Sequence, residues 1–545
     1  TVVPDYPEEL RMENAYTYDV AGNVLSDING TYTYDNLGRL STHTYNGNTD
    51  RYVYNKDGTL ATLMRNGNNE YFTYDDLKRL YAKGYEKASN EYVYEILYYD
   101  KVGNVKSQTS GIEIYNYETW VLEEAHDETV NYTYDALNRL TVEAAPSKTT
   151  YYSYDNMGNI TQQVYAYPAN TSFVSGHRSN SYTYNSNDIS SHCKIYTYNS
   201  YNELNSIIES VYYWADEEAG TYYEDRYNYL FEYDAIGRMT KKILDGYEQE
   251  FKYNTVGQLI EYTDESDKKT YYSYYTNGLR ENKNNMVSFD YHNSEYTYKD
   301  FYYDQNGRII YEYHPEISST SDNVWYRWNA FNPVYSSAAP YDNIVSNHRG
   351  DIVSNFEHFI NGYGAYGVKE RETKENSMYF GFCGEYTDEE SGLVYLRNRY
   401  YDPEIGRFIT EDPAKDGDNW YAYCAGNPVN RIDPYGTNWF TDFIRDAFNA
   451  QQQAEMAKYE AMDTMQKNVQ RSFWRYGAQH FLREKGYLTS AWMLEHSLED
   501  NPSNIWRGND SRIAYLVNHD SAYLTALDKK IKSSWNGKVE GYLDT

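Results

Sequence analysis

Few sets of side chains in this 545-residue chain have the types and spacing for chemistry. Aspartate precedes proline at Asp402, Asp412 and Asp433. Asp before Pro is ordinary turn chemistry. Two carboxylates held close together, however, cannot both ionise cheaply, so one keeps a proton while the other activates water. Cys193, Cys383 and Cys424 are too few for a disulfide framework and match no zinc spacing, so they read as small buried hydrophobes. Asp416-Gly417-Asp418-Asn419 has oxygens for a hard cation but lacks the length of a calcium loop, and reads as a turn. His480, His496 and His519 lack the i, i+4 spacing of a metalloprotease helix. Glu495, His496 and Asp500 have the types for a nuclease, but a solvated helix face is the plainer reading. No cofactor and no metal is expected, and no nucleophile-base-acid set of a conventional hydrolase stands out.

The elements that would have to position such groups are written in a repeat. Tyr32-Thr-Tyr34-Asp35-Asn-Leu-Gly38-Arg39-Leu40 returns twenty residues on at Tyr52-Val-Tyr54, and then near Tyr74-Asp75. The same wording recurs at Tyr134-Asp135, Tyr154-Asp155, Tyr233-Asp234, Tyr253-Asn254 and Tyr303-Asp304. A short period means an array in which each unit buries its apolar face against its neighbours. Tyr-x-Tyr puts both rings on one face of a strand. The following Asp or Asn bonds its own backbone and opens a turn, Gly supplies a positive φ, and Leu or Ile restarts a strand. Each repeat is therefore a hairpin, and successive hairpins are expected to pair into one long antiparallel sheet. A sheet of that length must curl or close to limit its exposed edges.

Seventy tyrosines against twelve prolines fit β-structure with semi-polar faces. The formal charge of −32 falls almost wholly on the first 436 residues. Such a surface repels nucleic acid and anionic membrane and keeps a Tyr-rich array soluble. No run approaches a membrane span, and no secretion leader stands at Thr1. The chain opens inside a repeat-like pattern, so it reads as part of something longer.

The repeat phrase resembles the Rhs/YD-repeat family, whose members wind such hairpins into a large hollow β-shell, and the likeness runs from about Tyr16 to Gly436. The segment that follows the repeats resembles the Rhs-associated core nearly end to end. It contains Asn347-His-Arg-Gly350-Asp, Gly384-Glu-Tyr386-Thr-Asp, Gly392-Leu-Val-Tyr395-Leu-Arg397-Asn-Arg399-Tyr-Tyr401-Asp402-Pro403, Gly406-Arg407-Phe408 and Asp433-Pro434-Tyr-Gly436. In many relatives this core closes the shell and acts as an intramolecular aspartyl protease that frees an enclosed, variable C-terminal domain. Carried onto this chain, the resemblance implies a pair Asp412 and Asp433, with Arg399 or Arg407 orienting or neutralising the carboxylates. It puts scission after Thr437, before Asn438. Two departures stand out: Asp412-Pro413-Ala-Lys-Asp416 replaces an Asp-Pro-x-Gly-Leu, and polar Thr437 replaces the usual Leu.

Past Gly436 tyrosine thins and the repeat ends. Phe440 to Trp474, Ser490 to Leu498, Ser511 to Val517 and Ala522 to Ile531 carry apolar residues near helical spacing, with Asn501-Pro502 as a stop. The fold class expected is thus mainly β, a hairpin array curled into a hollow shell, followed by a small, mainly α-helical C-terminal domain. The boundaries are 1–345 for the repeat shell, 346–436 for the core domain and 437–545 for the variable effector domain. By resemblance the chain is the shell of a polymorphic toxin of interbacterial competition, secreted or at the bacterial surface, with its signal in a missing N-terminal part. Its partners are then its own C-terminal domain as cargo and an immunity protein, with no nucleic acid or membrane bound by the shell. The competing reading is a cell-surface adhesin whose tyrosine rings stack on carbohydrate.

Overall fold

The computed structural model describes residues 17–441, apart from 28–29, 46–47, 66–67, 89–90, 116–121, 178–179, 217–220, 291–292, 305–306, 315–322, 329–332, 338–343, 356–357, 360, 373–378, 416 and 438–439. The chain divides into two compact units, Thr1–Asp50 with Phe448–Thr545, and Arg51–Ala447. Within the first unit, strands Thr17–Tyr18, Val24–Asp27, Gly30–Tyr34 and Leu40–Tyr45 pair antiparallel in succession. The helices expected beyond Phe440 lie outside the described residues. Among the described residues there is no α-helix, and the fold is mainly β.

The second unit is dominated by one antiparallel meander. From Leu60–Arg65 through Leu140–Ala144 and Met239–Leu244 to Pro333–Ser336, successive strands pair antiparallel, with one exception. One hairpin, Ser172–His177 with Asn180–Asn185, stands aside, and Ile160–Ala166 pairs past it with Ile189–Tyr198.

The repeat phrase explains this regularity residue by residue. At Asp135 the backbone N–H takes the Arg139 carbonyl at 2.9 Å, while its own carbonyl accepts the Asn138 amide at 2.9 Å. Its Oδ1 accepts the amides of Leu137 and Arg139, both at 2.9 Å, and its Oδ2 accepts Arg139 Nε at 2.7 Å. Burial pushes the Asp135 carboxyl up, but these backbone and side-chain donors outweigh it and hold the group below the usual range. The fourth position after the tyrosine needs the left-handed region: Gly38 has φ 77°, and Lys78 and Asn138 adopt 62° and 61° there. For Lys78 that conformation costs about 1 kcal/mol.

In several repeats the tyrosine before the turn Asp or Asn ties its hairpin to the previous one. Tyr134 Oη donates to the Val105 carbonyl at 2.7 Å, Tyr154 to Leu140 at 2.6 Å, Tyr253 to Met239 at 2.8 Å and Tyr303 to Arg280 at 2.7 Å. The repeat arginine closes the same joint, because the guanidinium of Arg139 lies over the Tyr154 ring at 4.7 Å and that of Arg238 over Tyr253 at 5.0 Å. At the last joint Trp328 stands in for the tyrosine, its Nε1 donating to the Ile309 carbonyl at 2.7 Å.

Residues 346–436 belong to the same compact unit as this wall and have a core of their own. Strands Tyr386–Thr387, Val394–Leu396, Arg399–Asp402 and Arg407–Phe408 form a small meander. Phe382, Val394, Leu396, Tyr401, Phe408 and Tyr423 pack together beneath it. Cys383 and Cys424 are small buried members of that core, and Cys193 is half-buried in the wall.

Candidate functional site

Asp412 and Asp433 both reach the site centre from turns. Asp412 leads the turn after Phe408, its amide donating to the Trp420 carbonyl at 2.9 Å and its Oδ1 accepting the Ala414 amide at 2.8 Å. Asp433 leads the turn to Gly436, and its Oδ1 accepts the Thr437 amide at 3.0 Å. Both carboxylates are buried. Arg399, first residue of the strand Arg399–Asp402, joins them: its Nη2 lies 3.3 Å from Asp433 Oδ2 and 3.8 Å from Asp412 Oδ2. The two oxygens share one nitrogen as neighbour, so a single cation serves both.

Arg399 is fixed on its remaining sides. Nη1 donates to the Trp420 carbonyl at 2.8 Å, Nε donates to the Gly436 carbonyl, and the guanidinium lies 3.5 Å from the Phe408 ring centroid. Burial pulls its pKa below the ordinary arginine value, while Asp412 and Asp433 oppose that fall. Arg407 goes elsewhere. Its Nη2 donates to the Asn202 carbonyl at 2.5 Å in the wall, and its guanidinium lies between the rings of Tyr198 and Tyr421. The third Asp-Pro aspartate, Asp402, also faces the wall, pairing with Lys242 Nζ at 2.9 Å. Thr437 is half-buried beside Asp433, and Asn438 lies outside the described residues. His480, Glu495, His496, Asp500, His519 and Asp416 lie outside them as well.

Three groups at this site were not legible from spacing. Arg397 Nη1 donates to Glu385 Oε2 and to the Pro434 carbonyl, each at 2.5 Å. Asn398 Nδ2 donates to the Tyr435 carbonyl at 2.9 Å. Glu385 is buried, which pushes its carboxyl up to about 7, with Arg397 pulling it down and Asp433 adding to the rise. An Arg-Asn-Arg run between aromatic strands carries no periodic signal, so only the fold reveals what it grips.

Chemically the arrangement offers two buried carboxylates, one shared guanidinium and a backbone segment, Gly436–Thr437, held against Arg399 and Asp433. The proteins this chain resembles include named toxins. Over 262 residues it is 26% identical to the tRNA3(Ser)-specific nuclease WapA of Bacillus spizizenii, covering 47% of this chain and 10% of that protein. Over 67 residues it is 51% identical to toxin protein Tse5 of Pseudomonas aeruginosa, covering 12% of this chain and 5% of that one. The crystal structure of TcdB2-TccC3-TEV aligns over 76% of this chain and 23% of that chain, at 18% identity and a TM-score of 0.40. The chain thus spans about a tenth or less of the length of WapA and Tse5. It matches no family model.

Proposed function

We propose that this chain is the enclosing part of a toxin of the Rhs/YD-repeat type, with residues 437–545 as its cargo and the carboxylate site as the means of releasing it. One observation carries the enclosure: turns far apart along the wall all meet the block 346–436. Asn104 accepts from Asn427, Asn159 from Asn419, the Asn202 carbonyl from Arg407, the Gly237 carbonyl from Tyr421 and the Gly307 carbonyl from Arg397. Roughly fifteen strands separate the first of these turns from the last, which in a flat sheet is about 70 Å. A compact body of that block's length is about 30 Å across. A wall that touches it at all five turns has to bend around it.

The release chemistry follows from the site. Water adds to the carbonyl carbon of Thr437, and one carboxylate takes its proton and passes it to the departing nitrogen of Asn438 as the C–N bond breaks. Arg399 Nη2 lies beside both carboxyl groups while this happens. The name of the relative Tse5 as a toxin supports the toxin reading, and an immunity protein would be the partner of the freed domain. The adhesin reading is less well supported, because the repeat tyrosines direct their hydroxyls to neighbouring carbonyls inside the wall. Limited proteolysis of the full chain tests the enclosure. Residues beyond Thr441 are expected to resist protease in the folded chain and to be degraded once it is unfolded. Trimming of that region first, with the wall intact, would contradict it.

A further inference from the structure

Three consecutive side chains grip three consecutive carbonyls immediately ahead of Thr437. Arg397 holds that of Pro434, Asn398 that of Tyr435 and Arg399 that of Gly436. The two turns interlock. Arg397 and Gly436 both take the left-handed region, with φ 58° and 65°. A Cβ on Gly436 would lie 2.8 Å from the Leu396 carbonyl oxygen and 3.0 Å from the Arg399 nitrogen, so no side chain fits there. A positive φ at an arginine is costly and persists only where its surroundings fix it. Here they do: Nε donates to the Gly307 carbonyl at 3.0 Å, Nη1 is shared by Glu385 and Pro434, and the guanidinium faces the Tyr435 ring at 5.6 Å.

We propose that Arg397 and Asn398, with Glu385 anchoring Arg397, are positioning residues that hold residues 434–436 in register and deliver the following peptide bonds to Asp412, Asp433 and Arg399. The inference rests on the protease reading above and deepens it. The grip is on backbone oxygens, so it is indifferent to the side chain at 437 and tolerates threonine there. It also links the cut to the wall, because the cation that holds Pro434 is held in turn by the turn at Gly307. Arg397 and Asp433 are the charged groups that face Glu385. Since burial raises the Glu385 carboxyl to about 7, the anchor is an anion above neutrality and a neutral acid below it.

The test follows the cleavage rate of the purified full chain by intact mass across pH 5.5–8.5, with unfolding curves as the folding control. Arg397→Ala is expected to slow the cut roughly a hundredfold through misplacement, and Arg397→Lys to fall between it and wild type, because one ammonium nitrogen can replace Nη1 at Glu385 and Pro434 but not also Nε at Gly307. Asn398→Ala severs one grip at a partly exposed turn, so it should slow the cut with an unchanged unfolding midpoint. Glu385→Gln should be slower than wild type at pH 8, with the gap closing as pH falls through about 7. Wild-type rates in Arg397→Ala and Asn398→Ala, or a Glu385→Gln gap constant across pH, would overturn the inference while leaving the protease reading intact. A wild-type chain that stays uncut would overturn both.

Discussion

Asp433→Asn is expected to run as a single species of 64.1 kDa under conditions in which the wild-type chain separates into a wall piece and a tail piece. The variant preserves shape, and its side-chain oxygen can still accept the Thr437 amide. What it loses is the negative charge beside Arg399 and the ability to take a proton from water. General acid–base groups contribute roughly 100- to 10,000-fold to such steps, so the cut should slow by at least about a hundredfold. Asp412→Asn should behave alike, because its carboxylate shares the same guanidinium nitrogen. Intact mass of both proteins after equal incubation decides the matter. Identical fragment patterns in wild type and Asp433→Asn would show that the chemistry lies elsewhere.

The second large effect is on the joint between wall and core block. Arg280 and Asp388 are fully buried, their Nη1 and Oδ2 2.7 Å apart, and Lys283 Nζ lies 3.4 Å from the same carboxylate. The guanidinium sits among the rings of Phe301, Tyr386 and Tyr395 at 4.5–5.0 Å. Removing the anion strands a charge in this dry cage, so Asp388→Ala should destabilise the joint by about 3–5 kcal/mol. The pair Arg280→Met with Asp388→Leu should restore most of that, since a buried ion pair is often replaceable by packed apolar groups. Burial pushes the Asp388 carboxyl up, but Arg280 and Lys283 more than offset this and leave it below the ordinary value of 3.8. A depressed carboxyl stabilises the fold above its unfolded value and ceases to do so as pH falls through the folded one. Acid below that ordinary value should therefore release the joint in wild type but not in the doubly apolar variant. Amide exchange at Tyr386–Asp402 reads both effects. Unchanged protection there in Asp388→Ala would refute the role given to the pair.

The wall was legible in the sequence because its physics is local. Tyr134, Asp135 and Arg139 lie within six residues, and the turn is closed by bonds from the Leu137 and Arg139 amides and the Arg139 side chain to the Asp135 carboxylate. The tie from Tyr134 to the Val105 carbonyl was not legible, since a backbone acceptor leaves no trace in residue type. At the site, resemblance picked out Asp412, Asp433 and Arg399, which the fold brings to one point. It did not separate Arg399 from Arg407: both sit on one small meander, and only the packing of Arg407 against Asn202 and Tyr198 takes it to the wall. Glu385, Arg397 and Asn398 act through carbonyls and burial, so no spacing announces them.

Enclosure is tested most directly by electron-microscopic imaging of the purified full chain. Particles are expected in which the sheet bends around an interior that holds the core block and further density belonging to the C-terminal region. A flat or solid ribbon, with that region projecting freely into solvent, would contradict it.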